Sequence, residues 1–467
     1  MGILDIMRIS VASLNANQTA MSVVSHNVAN MNTVGYSRQE SVMSPAIPRE
    51  DSGLLLGMGV ELDSIQNVED RFIAYNLTMS YQDLGFLSVK ATGLNQVQEV
   101  FNESNDAEGL SAVMNDFWNA WSDLASNPES SSARESLRGT ANILINEFNT
   151  ANTRLKDLAD AANMEISYII DDANAKLDSI AELNVLIRQA ELAGTTASDY
   201  RSERQQMMQE LSTLLDYNYF EDETGMVTIT VSGGLPLVES ETVNHLELRA
   251  DATNYGYYNV VAVSSGGQEF DLTDKMDGGE IAGHIAVRDE YIGEMRDKLD
   301  ELAYTIVQEV NNLHTTGFNL SGATGVNFFA PLASVDGAAG SIQLDAAIET
   351  SADNIAASLT GSVGDNQIAN QINALSDELT MNGGSATFQD YFSSMVSKVG
   401  SEAQNAELAY THAEAVNSQL YNVRESISGV AIEEEMSNLI RFQQAYQAAA
   451  RMLNAASQMI DVLNSIE

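Results

Sequence analysis

The stretch IEEEMSNLIRFQQAYQAAARMLNAASQMIDVLNSIE, residues 432–467, decides the fold. Ile432, Leu439, Tyr446, Leu453 and Ile460 recur in it every seven positions, and Phe442, Ala449, Ala456 and Leu463 fill the second place of the same heptads. Such a repeat draws one narrow apolar seam along a helix. The opposite end, ILDIMRISVASLNANQTAMSVVSHNVAN at residues 3–30, carries the matching pattern. There Met7, Leu14, Met21 and Val28 recur every seven positions, with Ile3, Val11 and Val24 beside them. A lone helix cannot bury its own seam. The two ends are therefore expected to pair with each other and with copies of themselves. Met7, Leu14, Met21, Val28, Leu439, Phe442, Tyr446, Leu453, Ile460 and Leu463 are the candidate assembly interface.

The charges sharpen this expectation. The 467-residue chain has a formal net charge of −44. Residues 1–46 hold only Asp5, Arg8, Arg38 and Glu40, and residues 436–467 only Arg441, Arg451, Asp461 and Glu467, so each end sums to zero. Between Ile9 and Ser37 there is no formal charge with His26 neutral. The polar positions are Ser, Asn, Gln and Thr. Amides and hydroxyls can be satisfied inside a protein assembly, where buried charges are costly.

The length suggests two to four domains. Net negative charge argues against nucleic acid, which needs clustered Lys and Arg, and against an anionic membrane surface. There is no cysteine, hence no disulfide framework and no Cys-based zinc site. No apolar run is long enough to predict a transmembrane helix. The first eight residues, MGILDIMR, lack the basic start and continuous apolar core of a cleavable signal, and the expectation is export by a route that leaves them in place.

Helical periodicity runs from about Ile3 to Ala29 and stops in the turn-rich Asn30 to Tyr36. A short strand is predicted at Val60–Ile65. Helices are predicted at about Glu69–Phe101, Leu110–Ser126, Ser131–Ala193 and Tyr200–Leu215, with a loop at Asn102–Gly109. Met226–Val231, Val243–Arg249 and Tyr257–Val263 alternate and read as strands. Helix returns over Gly279–His314, and Asp390–Ile427 and Ile432–Ser465 form a closing hairpin around Ser428-Gly429. Glu433, Glu434 and Glu435 sit in the first turn of the last helix, where the dipole favours negative charge. The fold class is mainly α: paired coiled-coil-like terminal helices, a long-helix body and one small inserted β-domain. The expected domains are 1–36 with 429–467 for assembly, 37–216 with 281–428 for the helical body, and 217–280 for the β-rich outer part.

No catalytic constellation stands out. His26, His245, His284, His314 and His412 are scattered, and His412-Ala-Glu414 lacks the cysteines a zinc deaminase needs. Gly57-Met-Gly59 and Gly361 to Gly364 suit turns better than phosphates. Trp118 and Trp121, on one helix face, are read as core of the body. No cofactor or metal is expected. A hydrolase centred on carboxylates of 217–280 would lack a nucleophile–base pair.

Residues 13–39, SLNANQTAMSVVSHNVANMNTVGYSRQ, resemble the N-terminus of bacterial flagellar rod and hook axial proteins. The shared pattern here is Asn27-Val28-Ala29-Asn30 followed by Thr33-Val34-Gly35-Tyr36, with Val34 where proline is usual. Asn27, Asn30, Thr33, Gly35 and Tyr36 form the turn motif; Gly35 is expected to take a positive φ or a close backbone contact. The continuation Ser37-Arg38-Gln39 is similar to the hook-associated protein 1 family, the hook–filament junction class. So are 115–125 with Asn127-Pro128-Glu129, Asn312 to His314 with Gly317-Phe318, Gly364-Asp365-Asn366, and 428–451. This resemblance implies a ring of subunits without catalysis, between hook protein below and hook-associated protein 3 above. It implies export through the flagellar type III apparatus and a cytoplasmic chaperone holding the C-terminal helix. The neighbouring possibility is another axial class, a distal rod or hook subunit.

Overall fold

The computed structural model describes residues 2–33, 35–51, 54–101, 109–231, 233–264 and 266–464. Val34 and nearly all of the expected loop at Asn102–Gly109 lie outside these residues.

The chain opens with α1 (Ile3–Asn30) and turns into a β-arm. In the arm β1 (Gln39–Pro45) pairs antiparallel with β4 (Val60–Asn67), with a bulge after Val42, and β2 (Arg49–Asp51) and β3 (Leu54–Leu56) pair within the excursion between them. Of these strands only β4 was predicted, as Val60–Ile65. The body follows: α2 (Arg71–Val100), α3 (Leu110–Ser126), α4 (Ser131–Leu192) and α5 (Ser198–Leu214). Asp70 caps α2 by accepting from Phe72 and Ile73 N–H, and Ser130 caps α4 by accepting from Ala133 N–H.

Two antiparallel sheets come next. β5 (Asn218–Glu221), β6 (Val227–Val231), β7 (Leu235–Glu239) and β8 (Thr242–Val243) form a meander. β9 (His245–Ala250), β10 (Tyr258–Val263) and β11 (Glu269–Asp271) form a three-stranded sheet with β10 central. Val227, Ile229 and Val231 point inward, as their alternation requires.

Helix resumes with α6 (Gly279–Ile285), passes through a π-helical segment at Ala286–Ile292 and continues as α7 (Gly293–His314). Buried Arg288 sits in the π segment, paired with Asp289 at 2.6 Å and donating to Asn163 Oδ1 and the Tyr258 carbonyl. It thereby ties the π turn to α4 and β10. Short helices α8 (Ala338–Ser341), α9 (Ala346–Thr350) and α10 (Gln367–Ala374) punctuate a loop-rich stretch. The chain closes with α11 (Phe388–Ser428) and α12 (Ile432–Asn464).

α2 and α11 run antiparallel, as the approaches of Asn417 to Ser80 and of Gly400 to Gln98 show. α2 meets α5, α6 and the π segment through glycines: a Cβ on Gly85 would lie 2.1 Å from the Thr213 carbonyl oxygen of α5 and 3.3 Å from the Glu280 nitrogen of α6, and one on Gly93 2.6 Å from Val287. Any side chain there would push the helices apart.

Two large apolar cores share α4. Leu137, Leu144, Phe148 and Leu155 enter the first, with α3, α7, α10 and the start of α11; Trp118 and Trp121 are buried in it. Ile166, Ala173, Leu177 and Ile180 enter the second, with α5, α6 and strands β6, β7, β9 and β10. The strands of 217–280 thus pack on helices from the flanking segments instead of enclosing a core of their own.

Candidate assembly interface

The end of α1 and the start of α12 meet in a buried polar knot. Asn27 is 1% exposed. Its Nδ2 donates to the Gln39 carbonyl at 2.9 Å and to Glu435 Oε2 at 3.2 Å. Its Oδ1 accepts from the Tyr36 hydroxyl at 2.8 Å and from Gln39 N–H at 2.9 Å. One amide so uses two donor and two acceptor places. Burial, with the negative charges of Asp199 and Glu435, pushes the Tyr36 hydroxyl well above the usual phenol range, so it remains a donor. Asn30 is turned back on α1, donating to the His26 carbonyl at 3.1 Å and receiving a bond from the Thr33 hydroxyl at 3.4 Å.

Gly35 has φ +79°, and a Cβ there would come within 2.9 Å of Gln206 Oε1. Its carbonyl accepts from Arg424 Nη2 at 3.2 Å. Arg38 N–H donates to the Ser428 carbonyl at 2.8 Å, and its guanidinium lies 3.4 Å from Glu434. The turn motif is therefore gripped by both closing helices. α5 holds the same place from the body: Asp199 accepts from Gln39 Nε2 at 2.6 Å and lies 3.3 Å from His26, while Ser198 donates to the Ile65 carbonyl at 2.9 Å. The hydrogen bonds and ion pairs here are joined by a ring contact of His26 with Tyr36, and among the described residues neither α1 nor α12 contributes to the apolar clusters of the body.

From this knot the two helices run outward side by side and antiparallel. On α12, Leu439, Phe442, Tyr446, Leu453 and Ile460 are half-buried, with Ala449 and Ala456 fully buried between them. Leu463 is 55% exposed, past the reach of the shorter α1. On α1, Met7, Leu14, Met21 and Val28 are half-buried too. The deepest positions of α1 are others: Ser10, Ala16, Asn17, Ala20, Val23, Val24 and Asn27. Small residues allow the closest approach, so they, not the heptad methionines, mark the face pressed hardest against its neighbours.

A second apolar face stays open. Met452, Met459 and Val462 are 50%, 53% and 57% exposed, and with exposed Ala448 and Ala455 they form a stripe at helical spacing on α12. Met436 and Ile440 add to it nearer the knot. Leu4, Met7 and Val11 of α1 line an open groove with Arg49 and Met58 of the β-arm. Arg49 pairs with Asp5 at 2.9 Å, fixing the arm to the first turn of α1.

The part of Glu435, Gln39, His26 and Asp199 in the knot escaped the sequence reading. Glu435 was placed by the helix dipole alone; its position one heptad before Phe442 was the available signal. Among the described residues no group of three His, Asp or Glu side chains is placed to hold a metal ion, and no helix is long and apolar enough to cross a membrane.

Comparison with known proteins adds three family matches. The family described as "Flagellar hook-associated protein FlgK helical domain" matches residues 94–329. "Flagella basal body rod protein" matches residues 7–36, and "Flagellar basal body rod FlgEFG protein C-terminal" matches residues 424–466. Flagellar hook-associated protein 1 of Bacillus subtilis is 29% identical over 97% of this chain and 96% of its own. That of Escherichia coli is 25% identical over 98% of both. The solved flagellar hook junction protein FlgK of Burkholderia pseudomallei superposes with a TM-score of 0.68 at 15% identity, covering 76% of this chain and 100% of that one.

Proposed function

Because the chain belongs to the flagellar hook-associated protein family whose helical domain it carries, we propose that it is a structural subunit joining the bacterial hook to the filament. Copies associate in a ring through their coiled-coil-like terminal helices. The observation that carries this reading is the two-faced α12. One apolar face is occupied by α1 of the same chain, and a second, through Met452, Met459 and Val462, is left uncovered. An exposed apolar stripe on a helix whose only charges beyond its first turn are Arg441, Arg451 and Asp461 is a place for protein, not water.

A distal rod or hook subunit is the less favoured reading. The rod-type matches are confined to the two ends, whereas the body matches the hook-associated class. The curated relatives are flagellar structural proteins, and we read this chain likewise as a building part without catalysis.

In this reading the ring meets hook protein on the cell-proximal side and hook-associated protein 3 on the distal side. The chain is cytoplasmic first, leaves through the flagellar type III export apparatus and ends in the flagellum. A cytoplasmic chaperone holds the C-terminal helix beforehand. Since α1 covers the α12 seam in the folded chain, a chaperone that uses that seam must act before α1 closes on it. Deleting the gene tests the role. Cells with hooks, no filaments and flagellin lost to the medium are expected; filaments still attached would refute it.

A further inference from the structure

Three segments quoted for their family resemblance, far apart in sequence, converge on one pocket of about 250 Å³. Its wall includes Pro128, Glu129, Phe318, Ser358, Gly364 and Asp365, and Arg134 lines it from α4. We propose that this pocket is a socket for an exposed carboxylate side chain of a second copy of the chain. The proposal rests on the ring reading above.

Arg134 carries the argument. Among the described residues three arginines are buried: Arg134, Arg204 and Arg288. Arg204 lies 3.1 Å from Glu221 and Arg288 lies 2.6 Å from Asp289. Arg134, 2% exposed, has no ion pair among the described residues. Its Nη1 and Nη2 reach only the carbonyls of Ile355 and Pro128, and its Nε has no hydrogen-bond partner. It also stands in the first turn of a 62-residue helix, where the dipole is already positive. The charge of the exposed Asp353 acts on it, but among the described residues no carboxylate forms an ion pair with it, and a buried guanidinium so placed at a helix N-terminus is a site prepared for an anion.

The carboxylates already in the pocket leave it open. Asp365 is committed to its own loop, accepting from Ser358 and Thr360 hydroxyls and from Leu359, Thr360 and Gln367 N–H groups. These bonds, Thr360 foremost, hold it well below the usual carboxylate range. Glu129 is exposed at the rim and makes no ion pair among the described residues. Around the mouth, Leu320, Leu359 and Val363 are 43%, 38% and 88% exposed. The occupant is thus an acidic side chain flanked by apolar ones. With 66 Asp and Glu against 22 Lys and Arg, a second copy offers acidic side chains in threefold excess over basic ones.

The test is photo-cross-linking in flagellated cells, with a benzophenone amino acid at position 363 and, in a parallel strain, at position 452 on the open face of α12. An adduct of two copies from position 363, mapping to an Asp- or Glu-containing peptide, is expected. Arg134→Gln should reduce it about tenfold, the loss of one charge-assisted contact. Glu129→Gln should increase it by removing a like charge. Should Arg134→Gln fail to fold, Leu320→Asp at the exposed mouth repels the same carboxylate and must show the same loss. An adduct only with another protein, or none at 363 while 452 yields copy-to-copy adducts, overturns the socket and leaves the ring. Absence of copy-to-copy adducts from both positions overturns both.

Discussion

At the scale of the residue, the knot around Asn27 is the least replaceable part of the molecule. Asn27→Asp keeps the shape but exchanges two donors for a negative oxygen facing Glu435. Loss of two buried bonds and the new repulsion should cost about 2–4 kcal/mol. Thermal unfolding and amide exchange of the first α12 turns should both register it; unchanged protection there would refute the knot's role. Gly35→Val meets Gln206 and a backbone region closed to β-branched residues, and filament attachment should fail. Wild-type motility in that variant would count against the grip. His314 gives a pH test. It is fully buried, with Nδ1–H donating to the Val326 carbonyl and Nε2 accepting from Ala356 N–H. Burial pushes its pKa down from 6.5 to about 4. Unfolded chains therefore bind a proton that the folded chain refuses, and stability present above pH 6.5 is lost as pH falls to about 4, by about 3 kcal/mol. Urea midpoints at pH 7, 5.5 and 4 should fall more steeply than those of His314→Asn. Parallel slopes would refute the assignment. The turn motif was legible in the sequence because the helical period stops at Asn30 to Tyr36 and the pattern from Asn27 to Tyr36 resembles that of the flagellar axial proteins. Its partners were not, because Glu435 and Asp199 come from far along the chain and look like ordinary helix-end acids.

At the scale of the element, periodicity located nearly every long helix to within two or three residues. It failed where no period exists. Gln39–Pro45 reads as loop because its ladder is bulged and ends in proline, and the stretch from 341 to 387 is built from helices of four to eight residues tied by side-chain caps such as Asp345. The α12 heptads read as one seam, but the stripe beside it went unseen, since Ala448, Met452, Ala455 and Met459 mimic the helix's ordinary composition. The two faces predict two different defects. Leu453→Asp places a charge against α1 and should loosen the helix pair itself, by about 1–3 kcal/mol. It should weaken chaperone binding and junction assembly together. Met452→Asp should leave the pair intact, as amide exchange of both helices will show, and stop assembly alone. If both variants loosen the pair equally, the division into an inner and an outer face is wrong.

At the scale of the whole molecule, the three-part division by chain segments remains our proposal, and the shared packing gives it a test. A 217–280 deletion strips the strands from Ile166, Ala173, Leu177 and Ile180 of α4. The first core around Trp118, Trp121 and Phe148 contains almost nothing from 217–280. Calorimetry of the deletion should retain one cooperative transition from that core and lose the stability of the other end; complete loss of cooperativity would show a single folding unit. Separation along the chain has a further consequence. Asn27 and Glu435 are 408 positions apart, and nothing in between can stand in for either. The outward-running helix pair can therefore close only after the whole intervening chain is available. A copy interrupted before residue 432 can fold much of its body, yet has no second helix to lay on α1. Topology thus acts as an inspection step: the assembly surface comes into being last, and only on copies that were completed.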